Sequence, residues 1–565
     1  MKKNFFLCAF MMGSLYIFAQ DFSLSDNQLL YKDHWVYKAL SYVTLESGLM
    51  NFASASPLSV GELKLYFSEI DPANLSQAGN RLYNDLKDFF ENRQKTLFST
   101  GVIKLHLEPI LQPQFFYKTN SELPWLKEGF EREKFLLLPL QFSVADFAMA
   151  ELKLYFAQNY STTLLPEKWT NIPFATSDVD ANFPQKGYLS FGAKKDAFQF
   201  FNLQCGMGPF SLGETQLGSV LFSDAINYPG YISLSLFAPS FKYVAGTHQL
   251  ETNKYLYSHR LEFRFFKRIT LRLVEASLVY APLDLRYLNP VTIFHGLAGW
   301  RSFDAFDAEM GAANGSKVND SRVGSYFGVT LDANPWKNIR LYGIFAMNQF
   351  QTAYELEHFN ANYIPNGLAG QGGIEGFVPY KKGYFYAKLE GLYTSPWMYI
   401  SSGRGWSFYQ SFRDLVGNDS KTYFVSWVGT NLGPDTLALQ CSFGYESLKK
   451  WGVSCIYRLA FQGENRKAIL QEIQNTQLSW YPTNLEEVLL QTPSGIPEIS
   501  HRCVFGGFIH PYSWLQLKTD VAFMVYTNYN NVKNAREFGF ELDFGIKLNL
   551  LKSLKNTFQG VSQKL

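Results

Sequence analysis

The chain has 565 residues, 17% of them aromatic (51 Phe and 34 Tyr) and 18% charged, with a formal net charge of +2 at pH 7. So balanced a chain, without a basic block, excludes nucleic acid as a partner, and the lack of a second long apolar run excludes a bundle of membrane helices. Abundant aromatics spread evenly are what a membrane β-barrel requires, because its lipid and lumen faces alternate along every strand.

Residues 1–20 read as a secretory signal peptide. Lys2 and Lys3 precede an apolar stretch from Phe5 to Phe18, and Ala19 offers a small residue for cleavage near Gln20 or Asp21. About 14 apolar residues fall short of the roughly 20 that span a bilayer. Cys8 lacks the small residues that precede a lipidated cysteine. Removal of the leader leaves the basic residues equal in number to the 49 acidic ones.

Residues 21–98 differ from everything after them. The spacing of Trp35, Ala39, Leu40 and Val43 predicts a helix over Tyr31–Ser47. Ser56-Pro57 is expected to start a second helix, since Ser caps free amides and Pro is tolerated in the first turn. Leu82, Leu86, Phe89 and Phe90 predict a third over Ser76–Asn92. This segment is expected to plug the periplasmic end of a barrel.

From about residue 99 to 550 the period is two. Phe538, Phe540, Leu542, Phe544, Ile546 and Leu548 share one face of the last strand, opposite Glu537, Glu541, Asp543 and Lys547. Tyr255, Tyr257, Leu261, Phe263 and Phe265 alternate with Ser258, Arg260, Glu262 and Arg264, and Leu152, Leu154 and Phe156 with Glu151 and Lys153. Tight connections are expected at 267–268, 237–241, 332–337, 431–435, 447–451 and 509–514. Long loops are expected at 161–186, 206–229, 282–320, 351–382, 396–421 and 463–497. Short turns alternating with long loops mark an outer-membrane barrel, here a closed antiparallel one of about 18 strands. Residues 551–565 are left as a tail.

Four cysteines follow the leader: Cys205, Cys441, Cys455 and Cys503, none in a metal-ligand spacing. Cys441 and Cys455 are symmetric about position 448, which would set them face to face on adjacent strands, as a disulfide or as two free thiols. No catalytic motif is present: there is no G-x-S-x-G or H-E-x-x-H. His248, His259 and His295 fall in or beside strands, and Asp284, Asp304 and Asp307 lie in a polar loop where a solvated role is the simpler reading. No enzyme activity, cofactor or metal is expected.

Arg260, Glu262 and Arg264 share a strand face that must point to the lumen, since lipid exposure would be costly. Arg272 follows across the turn. Glu275 has the opposite parity and joins them only at a bulge or strand end. Such a cluster either contacts an anionic polymer or rigidifies the barrel by pairing with itself, and the second reading is the simpler. Loop aromatics Trp300, Phe303, Phe306, Trp397, Trp406 and Tyr409 suit stacking on sugar rings or anchoring at headgroup depth. Trp336, Trp451 and Trp514, at the tight turns, are better placed as interface anchors.

Gly206-Met207-Gly208, then Leu217-Gly218-Ser219-Val220-Leu221-Phe222-Ser223-Asp224-Ala225 and Pro229, resemble the glycine-rich segment of the Wzi capsule-assembly family. The hairpin from His259 to Ala276, then Leu288-Asn289-Pro290, and Asp332 and Pro335 before Arg340-Leu341-Tyr342-Gly343, are similar to that family too. Cys205 departs from it, standing where an aromatic residue is common. The resemblance implies a non-catalytic, lectin-like protein of the outer membrane that holds capsular or other surface polysaccharide, with its helical segment closing the periplasmic end. A porin-like channel for small solutes is the alternative, and an adhesin differs from both only in its loops. Expected partners are outer-membrane lipid and polysaccharide, and the protein is expected to be monomeric.

Overall fold

A computed structural model describes residues 20–551 except 24, 92, 97, 100–101, 128–130, 159–168, 181–184, 302–322, 359–362, 402, 414–421 and 475–481. The leader expected at 1–20 and the tail at 551–565 thus fall almost wholly outside the described residues. Period-two patterning becomes one closed antiparallel sheet of 18 strands in simple meander order. The first, β1, is broken into Ile103–Leu107, Ile110–Leu111 and Gln114–Lys118. There follow β2 (Leu136–Val144), β3 (Ala148–Phe156), β4 (Lys186–Phe191), β5 (Phe201–Met207), β6 (Gly230–Ala238), β7 (Phe241–Glu251) and β8 (Lys254–Phe265). Next come β9 (Ile269–Tyr280), β10 (Val323–Trp336), β11 (Ile339–Gln349), β12 (Gly367–Tyr380) and β13 (Gly383–Thr394). The chain ends with β14 (Thr436–Ser447), β15 (Trp451–Gln462), β16 (Glu498–Tyr512), β17 (Leu515–Thr527) and β18 (Arg536–Asn549).

Closure falls on β1. Its first piece pairs with β2 (Leu140 opposite Leu107), and its last with β18 (Leu542 opposite Tyr117). Where β2 stops short, residues of the next long loop complete the wall: the Phe116 amide donates to the Trp169 carbonyl at 2.7 Å. The faces sort as the alternation requires. On β14, Leu437, Leu439 and Phe443 are exposed outward, while Gln440, Ser442 and Glu446 are buried inward. Among the described residues no helix is long and apolar enough to cross a membrane, so any crossing is made by strands.

Tight connections make up one end of the barrel and the long loops lie at the other, where the two-residue turn between Glu251 and Lys254 is the short exception. There are two departures from expectation. Residues 431–435 are not a turn between strands. They end one long loop, 395–435, which carries its own hairpin of Tyr409–Arg413 with Thr422–Trp427. The 351–382 loop is also shorter than expected, because the glycine-rich run Gly367–Tyr380 is strand β12. Glycine weakens a strand in isolation, but two paired neighbours, β11 and β13, override that preference.

The N-terminal segment forms α1 (Trp35–Glu46), α2 (Val60–Phe67) and α3 (Gln77–Glu91). The second begins later than Ser56-Pro57. Ser59 is its cap, its hydroxyl accepting from the Glu62 amide at 3.2 Å, while Ser56 pairs with Ser211 in a two-residue ladder. Helix α3 buries Leu82, Leu86 and Phe90 on one stripe, whereas α1 is buried on nearly every face. A helix of that second kind has packing partners all round it, and here they are α3 on one side and the barrel's interior on the other.

Cys441 and Cys455 do not face each other. Ser447 pairs with Trp451, so the hairpin is centred on Lys449, and the register sets Cys441 opposite Tyr457 and Cys455 opposite Phe443. All four cysteines are free. Each has the parity of its strand's outward residues, for example Leu203, Leu439, Val453 and Phe505, so they act as small apolar side chains on the outer wall. The mature protein, denatured without reductant, is expected to take up four maleimide labels; a count of two would restore a disulfide.

Candidate functional site

The helical segment lies across the tight-turn end. The Arg81 guanidinium donates to the Lys382 and Leu448 carbonyls at 2.8 and 3.0 Å, the Met50 amide to the Lys267 carbonyl at 2.7 Å, and the Asn338 amide to the Leu45 carbonyl at 3.1 Å. Side chains then tie it to the inner wall. Lys38 pairs with Glu446 at 2.6 Å, Tyr42 donates to the same carboxylate, Tyr384 donates to Glu46 at 2.5 Å, and Lys242 pairs with Glu62 at 2.5 Å. Asp26 is gripped by Lys64 and by Lys194. Burial alone would raise the Asp26 carboxyl pKa, but hydrogen bonds from Lys194 and Lys64 outweigh it and hold the group below its usual range.

From the opposite end, the connection 208–229 folds into the lumen and meets the helical segment: Gly213 donates to the Ser54 carbonyl at 2.8 Å. Its backbone is held by side chains of the wall. Glu390 accepts from the amides of Gln216 and Leu217 at 2.7 and 2.8 Å, and Gln371 accepts from Val220 at 3.0 Å. Gly218, at φ +77, lets the chain turn back against Thr430. The loop 395–435 lies over it, Tyr399 donating to the Val220 carbonyl at 3.0 Å and Thr430 to the Leu217 carbonyl at 2.6 Å. Helical segment, inward loop and outer loop share one hydrophobic cluster with the wall, running from Val36 through Leu221 to Trp427.

Around this filling, charges on seven successive strands alternate in sign. Lys242 on β7 stands opposite Glu262 on β8, which binds Arg260 at 2.7 Å and Arg272 on β9 at 2.8 Å. Arg272 pairs with Asp332 on β10, which also binds Arg340 on β11 at 2.8 Å. Arg340 reaches Glu375 on β12 at 3.3 Å, and Glu375 reaches Lys388 on β13 at 3.3 Å. Every acid is shared between two cations. Such a ladder offsets the desolvation of each member only while it stays whole.

Sequence reasoning found one corner of this ladder. Arg260, Glu262 and Arg272 belong to it, while Arg264 turns toward the helical segment and pairs with Glu69. Glu275 does not join them. Parity sends it to the outer wall opposite His259, where its carboxylate accepts the His295 amide at 3.1 Å. Lys242, Asp332, Arg340, Glu375 and Lys388 were missed, although each shares the inward parity of its strand.

The glycine-rich motif divides between two places. Gly206 is on β5; Gly208, Gly218, Ser219 and Ser223 belong to the inward connection, with Gly208 packed against Tyr31 and the Ser223 hydroxyl donating to the Gly429 carbonyl. Asn289 and Pro290 lie instead on a segment that folds over the outer wall, where Tyr243 donates to the Pro290 carbonyl. Of the loop aromatics, Trp397, Trp406 and Tyr409 are buried within the protein rather than presented to solvent. Trp300 lies in the short helix Phe294–Arg301, and Phe303, Phe306, Asp304 and Asp307 lie outside the described residues. Trp336 and Trp451 are exposed at the tight-turn rim, as interface anchors would be.

No family model matches the chain, and no curated protein sequence does. Among solved structures, it is similar to Wzi of Escherichia coli, described as a carbohydrate-binding β-barrel of the outer membrane involved in group 1 capsule assembly. The two share 13% identity over 92% of this chain and 99% of that one, with a TM-score of 0.54. The chain has an outer-membrane β-barrel fold. The channel proteins OprD of Pseudomonas aeruginosa and DcaP of Acinetobacter baumannii also align, at 9% and 8% identity over 80% of this chain and 95% and 98% of theirs, but with TM-scores of only 0.39 and 0.34.

No group of His, Cys, Asp and Glu among the described residues could hold a metal ion. On the outer wall His295 Nδ1 is 3.5 Å from the Ser325 hydroxyl, and the adjacent Glu275 accepts the His295 amide. Inside, a small cavity of about 50 Å³ lies between the helical segment, the inward connection and β5–β8. Ser233, Ser235, Gln204, Lys242, His248 and Arg260 line it together with apolar Leu58, Phe210, Phe222 and Val244, the His248 ring stacked 3.9 Å from Phe210.

Because Arg272 neutralises both Glu262 and Asp332, Arg272→Met is expected to cost about 3–5 kcal/mol in the urea unfolding of the detergent-folded protein. Adding Glu262→Gln to that variant should recover part of the loss, through removal of a stranded charge.

Proposed function

We propose that this protein is a non-catalytic barrel of the outer membrane, exported through a cleaved leader, that holds or organises surface polysaccharide. Its tight turns and helical segment would face the periplasm and its long loops the exterior. The observation that carries this reading is the filled lumen: a helical segment entering from one end meets the connection 208–229 entering from the other. A general diffusion channel has no use for both. Likeness of fold to a carbohydrate-binding barrel supports a glycan as ligand. The ligand that fits is a capsular or related polymer of the cell that makes the protein, bound without turnover, by a monomer.

Intact protein in planar bilayers is expected to show no steady open current, and immobilised protein to retain polysaccharide extracted from its own cells. Sustained conductance from the intact chain, with no retention of polysaccharide, would replace this reading with a solute channel.

A further inference from the structure

The charge ladder on β7–β13 leaves no ion without a counter-ion, and the opposite side of the barrel does otherwise. Arg458 on β15 and Arg502 on β16 stand directly opposite each other, both with inward parity. Like charges in that position repel. Among the described residues neither forms an ion pair, and the Nε of each is buried without a hydrogen-bond partner. The contact that Arg502 does make is a long one of 3.4 Å to the Tyr526 hydroxyl. A third guanidinium, Arg466 on the helix Glu464–Gln474, is close enough to interact with Arg458, and donates through Nε to the Leu432 carbonyl at 2.8 Å.

Acids stand nearby without forming an ion pair with either strand arginine among the described residues: Glu541 is near enough to Arg502, and Glu498 and Asp435 to Arg466, for their charges to interact. Glu498 accepts the Asn530 amide at 2.7 Å, Asp435 accepts the Ser494 amide at 3.0 Å and its hydroxyl, and Glu541 accepts the Leu126 amide at 2.7 Å. Both strand arginines are half-buried rather than sealed. They stand four residues from the loop-end limits of their strands, Gln462 and Glu498, or roughly 13 Å at the rise of a strand. Guanidiniums held so, with buried Nε–H donors unused and no ion pair of their own among the described residues, fit a planar or tetrahedral oxyanion, which accepts two parallel N–H bonds from each.

We propose that Arg458 and Arg502, with Arg466 beside them, form an anion site in the loop-side half of the lumen. The group it takes is the acidic substituent of a polysaccharide, a uronate carboxylate or a phosphate. This rests on the polysaccharide-holding reading and narrows it to acidic polymers.

The test uses the full mature chain in detergent and three probes: trigalacturonate, inorganic phosphate and neutral maltotriose. Trigalacturonate or phosphate is expected to raise the melting midpoint by several degrees, and maltotriose to leave it unchanged. In the Arg458→Gln/Arg502→Gln protein the shift should vanish, affinity by calorimetry should fall at least tenfold, and the anion-free midpoint should rise, since a repulsive pair has gone. A response to phosphate but not trigalacturonate assigns the site to phosphate-bearing polymers. Equal responses of the intact and double-variant proteins to the anions, or no response to either anion, would overturn the site. Retention of the cell's own polysaccharide by the double variant at full strength would do so too, while leaving the broader reading in place; loss of retention by the intact protein would remove that reading instead.

Discussion

A sheet that crosses a bilayer can leave no edge, because an unpaired N–H or C=O in hydrocarbon has nothing to bond. Everything else in this molecule depends on how that requirement is met at β1. This strand is short of regular partners on both sides, and it serves β2 and β18 by breaking into three pieces. The remaining gap is covered by a backbone contact from Trp169. With the ring complete, outward side chains need only be apolar, and specificity moves to the interior.

The interior is built like the core of a soluble domain turned inside a wall. Leu217, Val220, Leu221 and Phe222 of the inward connection pack with Val36, Leu40 and Val43 of α1 in one hydrophobic cluster. Polar main chain brought in with that loop is met by Glu390 and Gln371 from β13 and β12. The charged residues that no lipid-facing position could accept form the alternating ladder. Its uniform pairing is what makes Arg458 and Arg502 of β15 and β16 distinctive: among the described residues they stand opposite each other with no ion pair of their own.

Much of this was legible in the residues, for reasons that also mark where legibility ended. Strict alternation in β8 and β18 announces strands with an outer and an inner face, and the three-and-four spacing of α1 and α3 announces helices. Register is another matter: Cys441 and Cys455 look symmetric in sequence, yet a hairpin centred one residue later separates them by two positions. Gly367–Gly376 reads as a loop because the pairing that stabilises it comes from neighbouring strands. Trp406 and Tyr409 read as surface aromatics because nothing local says that a loop will fold inward. The ladder was found only at its first corner, since parity tells which way Asp332 or Arg340 points but not which charges meet.

The contacts of the helical segment also set an order of events. Lys38 is separated from its partner Glu446 by 408 residues, and Arg81 from Lys382 by 301. The helical segment must therefore wait for β14 before it can settle. With the tight turns toward the periplasm, as proposed above, it would do so on the side from which the chain arrives, without being carried through the bilayer. Loop-closure entropy makes such distant contacts slow to form, so seating of the helices belongs among the closing steps of assembly, when the ring around them is already drawn shut.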